Sequence, residues 1–413
     1  MNGDVEHLLR TEAPQVLGAL VRRFGRFDIA EDAVQEALLA ASEDWPARGV
    51  PEDPRSWLIR IGYRRMVDLL RSDQARRRRE HEAGATELAM RAPARRAGPP
   101  PEVDDSLTLL MLCCHPALST TSQVALTLRA VGGLTTAEIA HAHGTTEAAM
   151  GTRISRAKQR LARAGARFTP PTDADRDART ATVMRVLYLV FNEGYTATAG
   201  RALARVDLTR EAIRLARMLR ASLPDDAEAT GLLALMLLTD SRRRARTGAD
   251  HELVPLDEQD RTLWDPDLIR EGTELIDGVW NRGAAGPYRL QAAIAAVHAA
   301  AASPEETDWP QIAMLYLWLE RLTPTAPIRL SRVVAVARAY GPARGLALLD
   351  DLNSRHGLDR DPLTRQRERA VRAHLLQMTG DNASASALYR QAAALTENQV
   401  ERRYLLGKAD RLD

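Results

Sequence analysis

Five cations, Arg153, Arg156, Lys158, Arg160 and Arg163, lie along and just past the stretch LTTAEIAHAHGTTEAAMGTRISRAKQRL, Leu134 to Leu161. Cations on one helix hold phosphate oxygens, while residues early on the same exposed face reach base edges in the major groove. Glu147, Thr152 and Arg153 occupy the early positions, with Arg156 and Lys158 supplying charge behind them. Two other groups of reactive side chains carry less. Cys113, Cys114 and His115 are adjacent in sequence, and neighbouring cysteines rarely give two ligands to one tetrahedral ion, so they are expected in the core and no metal site is expected. Asn192, Glu193, Tyr195, Asp257, Asp260, Trp264 and His298 are polar or aromatic but show no nucleophile–base spacing, no glycine-rich phosphate loop and no two-histidine helix motif. The expectation is a chain that is not an enzyme and needs no cofactor.

The elements that would position the cations can be read from capping and periodicity. Thr135 or Thr136 caps a short helix with Ile139 and Ala140 inward, and Gly144 falls in a turn. Thr146 then caps a second helix with Met150 and Ile154 inward, which is the layout of a helix-turn-helix. Upstream, apolar residues from Val16 to Phe24 and from Ile29 to Ala41 recur at spacings of three and four, giving two helices with a break near Gly25 to Asp28. The breaker-rich stretch DWPARGVPEDP, Asp44 to Pro54, predicts a loop, and a third helix follows from Arg55 to about Arg78. Trp57, Leu58, Ile61, Val67 and Leu70 form its apolar stripe.

Net charge is only +2, but the sign changes along the chain: residues 1–54 hold five Arg against eleven Asp and Glu, and residues 55–79 hold nine Arg against Asp68 and Asp73. With 413 residues, 45% of them hydrophobic and only 4% aromatic, the composition favours an all-α chain of several domains. No window approaches a membrane span and no signal pattern opens the chain, so a cytoplasmic protein without membrane attachment is expected. Late in the sequence, Arg369 to Leu395 reads as two helices joined at Gly380-Asp381, with Ala373, Ala383 and Ala387 where helices would cross closely. Ser331 to Leu352 repeats the arrangement around Gly341-Pro342. Such hairpins bury their apolar faces only against neighbours, so a stacked array follows.

The order of parts, DIAEDAVQEALLAASEDWP, then PRSWLIRIGYRRMVDLLRSDQARRR, then the helix-turn-helix, resembles domains two and four of extracytoplasmic-function sigma factors of the sigma-70 family. MLCCHPALS, VLYLVFNEGY, LDEQDRTLWD and GPYRLQAAIAAVHAAA are similar to the sigma-factor group with a tetratricopeptide-like C-terminal extension. This resemblance implies a division into a region 2 domain at 1–79, a flexible linker at 80–103, a region 4 helix-turn-helix domain at 104–168, a short linker at 169–180 and a helical regulatory array at 181–413. It implies that Asp28, Glu31, Asp32, Gln35 and Glu36 dock on the β′ clamp of core RNA polymerase, with the β subunit also a partner. Arg60, Arg64, Arg65 and Arg71 would then hold the backbone of an unpaired promoter strand, with the Asp44 to Asp53 loop taking a base. Glu147, Thr152, Arg153, Arg156 and Lys158 would read the distal element as duplex. Trp57 is read as core and Asp68 as the helical partner of a nearby Arg. For the array, both contact with the sigma part of the same molecule and an external protein partner are open. The competing reading is a helix-turn-helix regulator with a helical sensor domain that never engages polymerase.

Overall fold

The computed structural model describes residues 2–81, 105–143, 145–166, 168, 173–195, 206–248, 253–396 and 398–413. Among them there is no strand, and an isolated bridge joins Thr247 and Leu253, so the fold is all-α. Of the expected flexible linker, residues 80–81 are still helical and the rest, like Gly144 of the turn, lies outside the described residues. The chain divides into two compact units, Met1–Leu189 and Val190–Asp413.

In the first unit, α1 (Asn2–Phe24) and α2 (Phe27–Arg48) are separated at Gly25, whose φ of 67° few other residues adopt. The buried face of α2 is Ala30, Ala33, Val34, Ala37, Ala41 and Trp45, at helical spacing. That face extends the helix further than its breakers suggest. Asp44 to Arg48 belong to α2 despite Pro46, because Trp45 is buried and meets the Trp57 ring edge-on at 5.5 Å. The connection expected from Asp44 is therefore confined to residues 49–53, and α3 (Pro54–His81) follows, with Leu58 and Met66 fully buried against α1 and α2.

The chain resumes in α4 (Ser106–Cys113), α5 (Thr120–Ala130), α6 (Thr136–Ala142) and α7 (Glu147–Arg163). Thr135 Oγ1 accepts from the Glu138 amide while Glu138 Oε2 accepts from the Thr135 amide, a reciprocal cap that starts α6. Thr146 Oγ1 accepts from the Ala149 amide to start α7, and Met150, Ile154, Ala157 and Leu161 turn inward. Residues 173–180, expected within a linker, are already helical in α8 (Asp173–Tyr195).

The second unit is a run of antiparallel helices. α9 (Val206–Ser222) packs on α10 (Ala227–Asp240), which is buried almost all round and also carries α11 (Pro266–Val279) and α12 (Pro287–Ala300). The array continues through α13 (Trp309–Leu322), α14 (Ala326–Tyr340), α15 (Pro342–His356), α16 (Arg365–Thr379), α17 (Asn382–Leu395) and α18 (Gln399–Asp410), each packed on the one before. Gly231 lets α12 approach α10 closely: a Cβ there would stand 2.9 Å from the Arg289 backbone nitrogen. The hairpins at Gly341-Pro342 and Gly380-Asp381 form where periodicity places them, Gly380 with φ of 86°. Their packing face differs in one respect. Ala373 is buried, but Ala383 and Ala387 are exposed, and α17 buries Ala385, Tyr389, Ala392 and Ala393 instead. The large Tyr389 ring, which hydrogen-bonds Gln377 at 3.0 Å, decides the face, whereas small residues fit either one.

Candidate nucleic-acid interface

The carboxylates of α2 meet one cation of α7, Lys158, and one of α5, Arg129, inside the first unit. Glu31 is 2% exposed; Arg129 Nε donates to its Oε1 at 2.8 Å and Lys158 Nζ to its Oε2 at 2.9 Å. The same Lys158 donates to Asp32 Oδ1 at 2.6 Å. Burial alone would raise the Glu31 carboxyl, but Lys158 and Arg129 outweigh it and hold the group below the usual carboxylate range. Asp32 is raised, because burial and its neighbour Glu31 prevail over Lys158. Lys158 is itself raised, the two carboxylates overcoming the effect of burial. Two further bonds tie α1 to the start of α4, Arg22 to Asp105 and Gln15 to Ser106. A cleft of about 580 Å³ opens beside Glu31, Asp32, Arg129 and Lys158.

The remaining acidic candidates are more open. Asp28 is half-buried and paired with Arg26 at 2.8 Å; burial would raise its carboxyl, but the Arg26 guanidinium brings it below the usual range. Gln35 and Glu36 are half-buried, and Glu36 pairs with Arg65 at 3.0 Å. On α3, Arg60, Arg64, Arg65 and Arg71 are all exposed, with Asp68 beside Arg71 at 3.9 Å. Tyr63 shares this surface, packed on Phe24 at 5.4 Å and under the Arg23 guanidinium.

On α7, Glu147, Thr152 and Arg156 are exposed and Arg153 is half-buried. The Thr152 hydroxyl donates to the Ala148 carbonyl, which leaves its lone pairs as the group it can offer. Lys158 alone among the α7 candidates turns towards α2. Arg129, on α5, was not marked out by the sequence; its cue is a cation placed in a helix whose other residues are mostly buried.

Cys113 and Cys114 are buried, and burial pushes both thiols up, Cys114 to about 12, which leaves them un-ionised at neutral pH. Among the described residues no cluster could hold a metal ion, and no helix is long and apolar enough to cross a membrane. The polar residues considered for catalysis scatter. The Tyr195 ring lies under Arg246, Asp260 caps a 3-10 turn, and Trp264 is buried beneath Arg261, while Asp257 and His298 line one cavity of the second unit.

Three family models match the chain: Sigma-70 region 2 over residues 8–77, Sigma-70 region 4 over residues 108–161, and a family of unknown function (DUF6596) over residues 179–279. An uncharacterised protein of Rhizobium meliloti (strain 1021) is 41% identical over 419 residues, covering 99% of this chain and 96% of its own length. No solved structure matches the chain.

Proposed function

Since the chain belongs to the sigma-70 family, as a factor resembling the extracytoplasmic-function type with a C-terminal extension, we propose that it directs core RNA polymerase to a narrow promoter set under the control of that extension. Proteins of this family are transcription initiation factors rather than enzymes. In this reading the α2 carboxylates dock on the β′ clamp, whose basic surface they complement in charge. The α3 arginines hold the phosphates of the unpaired proximal strand, and α7 enters the major groove of the distal element, with Arg153 at base edges and Arg156 on phosphate.

The observation that carries this reading is the succession of an acidic α2, an α3 with four exposed arginines and a capped α6–α7 pair within one unit. It also implies a closed free state. Lys158 and Arg129 neutralise Glu31, so engagement of polymerase has to exchange region 4 contacts for contacts with the clamp.

Transcription reconstituted from core enzyme, the full chain and promoter DNA tests the proposal. A promoter-dependent transcript and a stable complex with core are expected, and a chain shortened after Arg167 is expected to transcribe less. Duplex binding without core binding would leave a helix-turn-helix regulator instead. A shortened chain that folds and transcribes like the full one would remove the role of the extension.

A further inference from the structure

Between the hairpins of the second unit, the segment from Leu253 to Trp264 crosses α12, α14 and α18 and is fastened at several points. Arg261 Nη1 donates to the carbonyl of His298 at 2.9 Å and to that of Ala301, and its Nη2 donates to Thr307 Oγ1 at 3.1 Å. Asp257 pairs with Arg338 of α14, and Glu258 with Lys408 of α18 at 2.8 Å. Beneath this strap lies a cavity of about 260 Å³. Pocket walls for small molecules are mostly apolar with a few convergent polar groups, and this cavity falls just below the range of roughly 300–1,000 Å³ usual for drug-sized ligands, which suits a smaller one.

Its polar side chains are only partly spent. Arg261 Nε, Arg338 Nε and His298 Nδ1 are each buried without a hydrogen-bond partner, although all three residues line the cavity. A buried donor left unpaired costs about 1–3 kcal/mol, so the two Nε–H groups around one space point to a group that accepts from them, beside an imidazole nitrogen that can donate or accept. The charge of the lining itself is positive, with Glu305 and Glu306 acting on Arg261 from outside it. Among the described lining residues Asp257 is the sole carboxylate, and it already answers Arg338. Burial, with Arg242 and Arg261, brings the His298 imidazole down to about 4, and burial with Arg338 lowers His374, so both rings are neutral at pH 7. The rest of the wall is flat or apolar: Trp309, Tyr404, Val334 and Leu256.

We propose that this cavity is a binding site for a small planar organic carboxylate, its anion held by Arg261 and Arg338 and its flat body between Trp309 and Tyr404. Guanidinium groups are the preferred partners of carboxylates in such sites, because charge-assisted bonds are roughly twice as strong as neutral ones. The site supplies the C-terminal extension with a ligand of defined chemistry, and its occupancy can be measured without polymerase or promoter. It therefore stands or falls separately from the sigma reading.

Calorimetric titration of the full chain with sodium benzoate, benzamide and inorganic phosphate distinguishes the possibilities. Benzoate is expected to bind one per chain with a dissociation constant below about 1 mM and to raise the unfolding temperature. Benzamide, of the same shape but neutral, and phosphate, charged but compact, are each expected to bind at least about tenfold more weakly. Val334→Phe fills the cavity while leaving every anchor of the strap, and is expected to abolish the benzoate signal with helical content unchanged. Arg338→Lys keeps the charge opposite Asp257 but removes Nε, and is expected to weaken benzoate about fivefold or more. No saturable benzoate binding, equal binding by benzamide or phosphate, or full binding by a folded Val334→Phe chain would each overturn the assignment.

Discussion

Replacing Lys158 by Ala separates two roles that the same side chain could hold, since it sits on the helix proposed to read DNA yet is bonded to α2. Its side chain is 11% exposed, and its partners differ: Glu31 is 2% exposed and Asp32 58%. The exposed pair contributes only about 0–1 kcal/mol after solvent screening. The buried pair contributes more. Stripping a buried charge of its partner costs about 3–5 kcal/mol, but Arg129 stays on Glu31 at 2.8 Å, so the loss falls to about 1–2 kcal/mol. If the contact holds the free protein closed, that loss appears as a larger competent fraction and tighter core binding, by about tenfold. Titration of labelled full-length protein with core polymerase reads this directly, and Lys158→Arg, which keeps the charge, serves as the control. A purely phosphate-binding Lys158 gives the opposite pattern: core affinity unchanged, duplex affinity reduced, and the salt slope lower by about one. That outcome would refute the closed state.

Charge reversal at the exposed Asp32 and the half-buried Glu36 is expected to weaken core binding with helical content unchanged, because ion pairs of solvent-accessible carboxylates add little stability while their charge sets interface complementarity; pull-down with core and circular dichroism check both halves. Arg153→Ala is expected to cost about 1–3 kcal/mol on the distal duplex, and Arg156→Ala to reduce the salt slope of binding, measured by titration at several salt concentrations. Glu31 also predicts a pH effect. Its folded value is depressed, so its stabilisation is complete above its unfolded value and is lost as pH falls through the folded one, whereas the raised Asp32 acts with the opposite sign above its own unfolded value. Glu31→Gln is therefore expected to flatten the fall of the denaturation midpoint below about pH 5. In the second unit Arg289 is 2% exposed and binds Glu228 at 3.0 Å and the carbonyls of Val279, Arg282 and Ala284, so Arg289→Ala is expected to cost about 3–5 kcal/mol in urea unfolding, with Arg289→Lys failing to restore it.

What could be read from sequence follows the range of the forces involved. The helix-turn-helix caps, the break at Gly25 and the hairpins at Gly341 and Gly380 are set by residues a few positions apart, and each appears where local chemistry places it. Features that depend on distant partners were not legible. Pro46 reads as a breaker until Trp45 is seen buried against Trp57. Ala383 and Ala387 are as suitable for a close crossing as Ala385 and Ala392, and only the seat of Tyr389 chooses between them. Lys158 belongs to the basic face by sequence, and its turn towards Glu31 depends on residues far earlier in the chain. The strap over the second-unit cavity is similar: LDEQDRTLWD shows charges, but that Arg261 spends its terminal nitrogens on two carbonyls and the Thr307 hydroxyl and keeps Nε is a matter of tertiary placement.

The closed arrangement also orders the encounter with polymerase. A partner shifts such an equilibrium only by as much as it prefers the open form, so the first contacts have to be made by groups already accessible. Asp32, at 58% exposed, and the half-buried Gln35 and Glu36 meet that condition, while Glu31 does not. A basic clamp surface arriving at Asp32 competes with Lys158 for that carboxylate, one of the two that Lys158 bridges. Each bond surrendered by Lys158 leaves Glu31 more dependent on Arg129. If α2 docks on the clamp as proposed, the buried carboxylate becomes available only after the exposed ones are engaged, so Glu31 is expected as the late contact and Asp32 as the early one. Substitution at Asp32 is thus expected to slow association with core, and Lys158→Ala to quicken it, both visible in stopped-flow kinetics at low salt. Equal association rates for the two variants would show that region 4 leaves α2 before polymerase arrives.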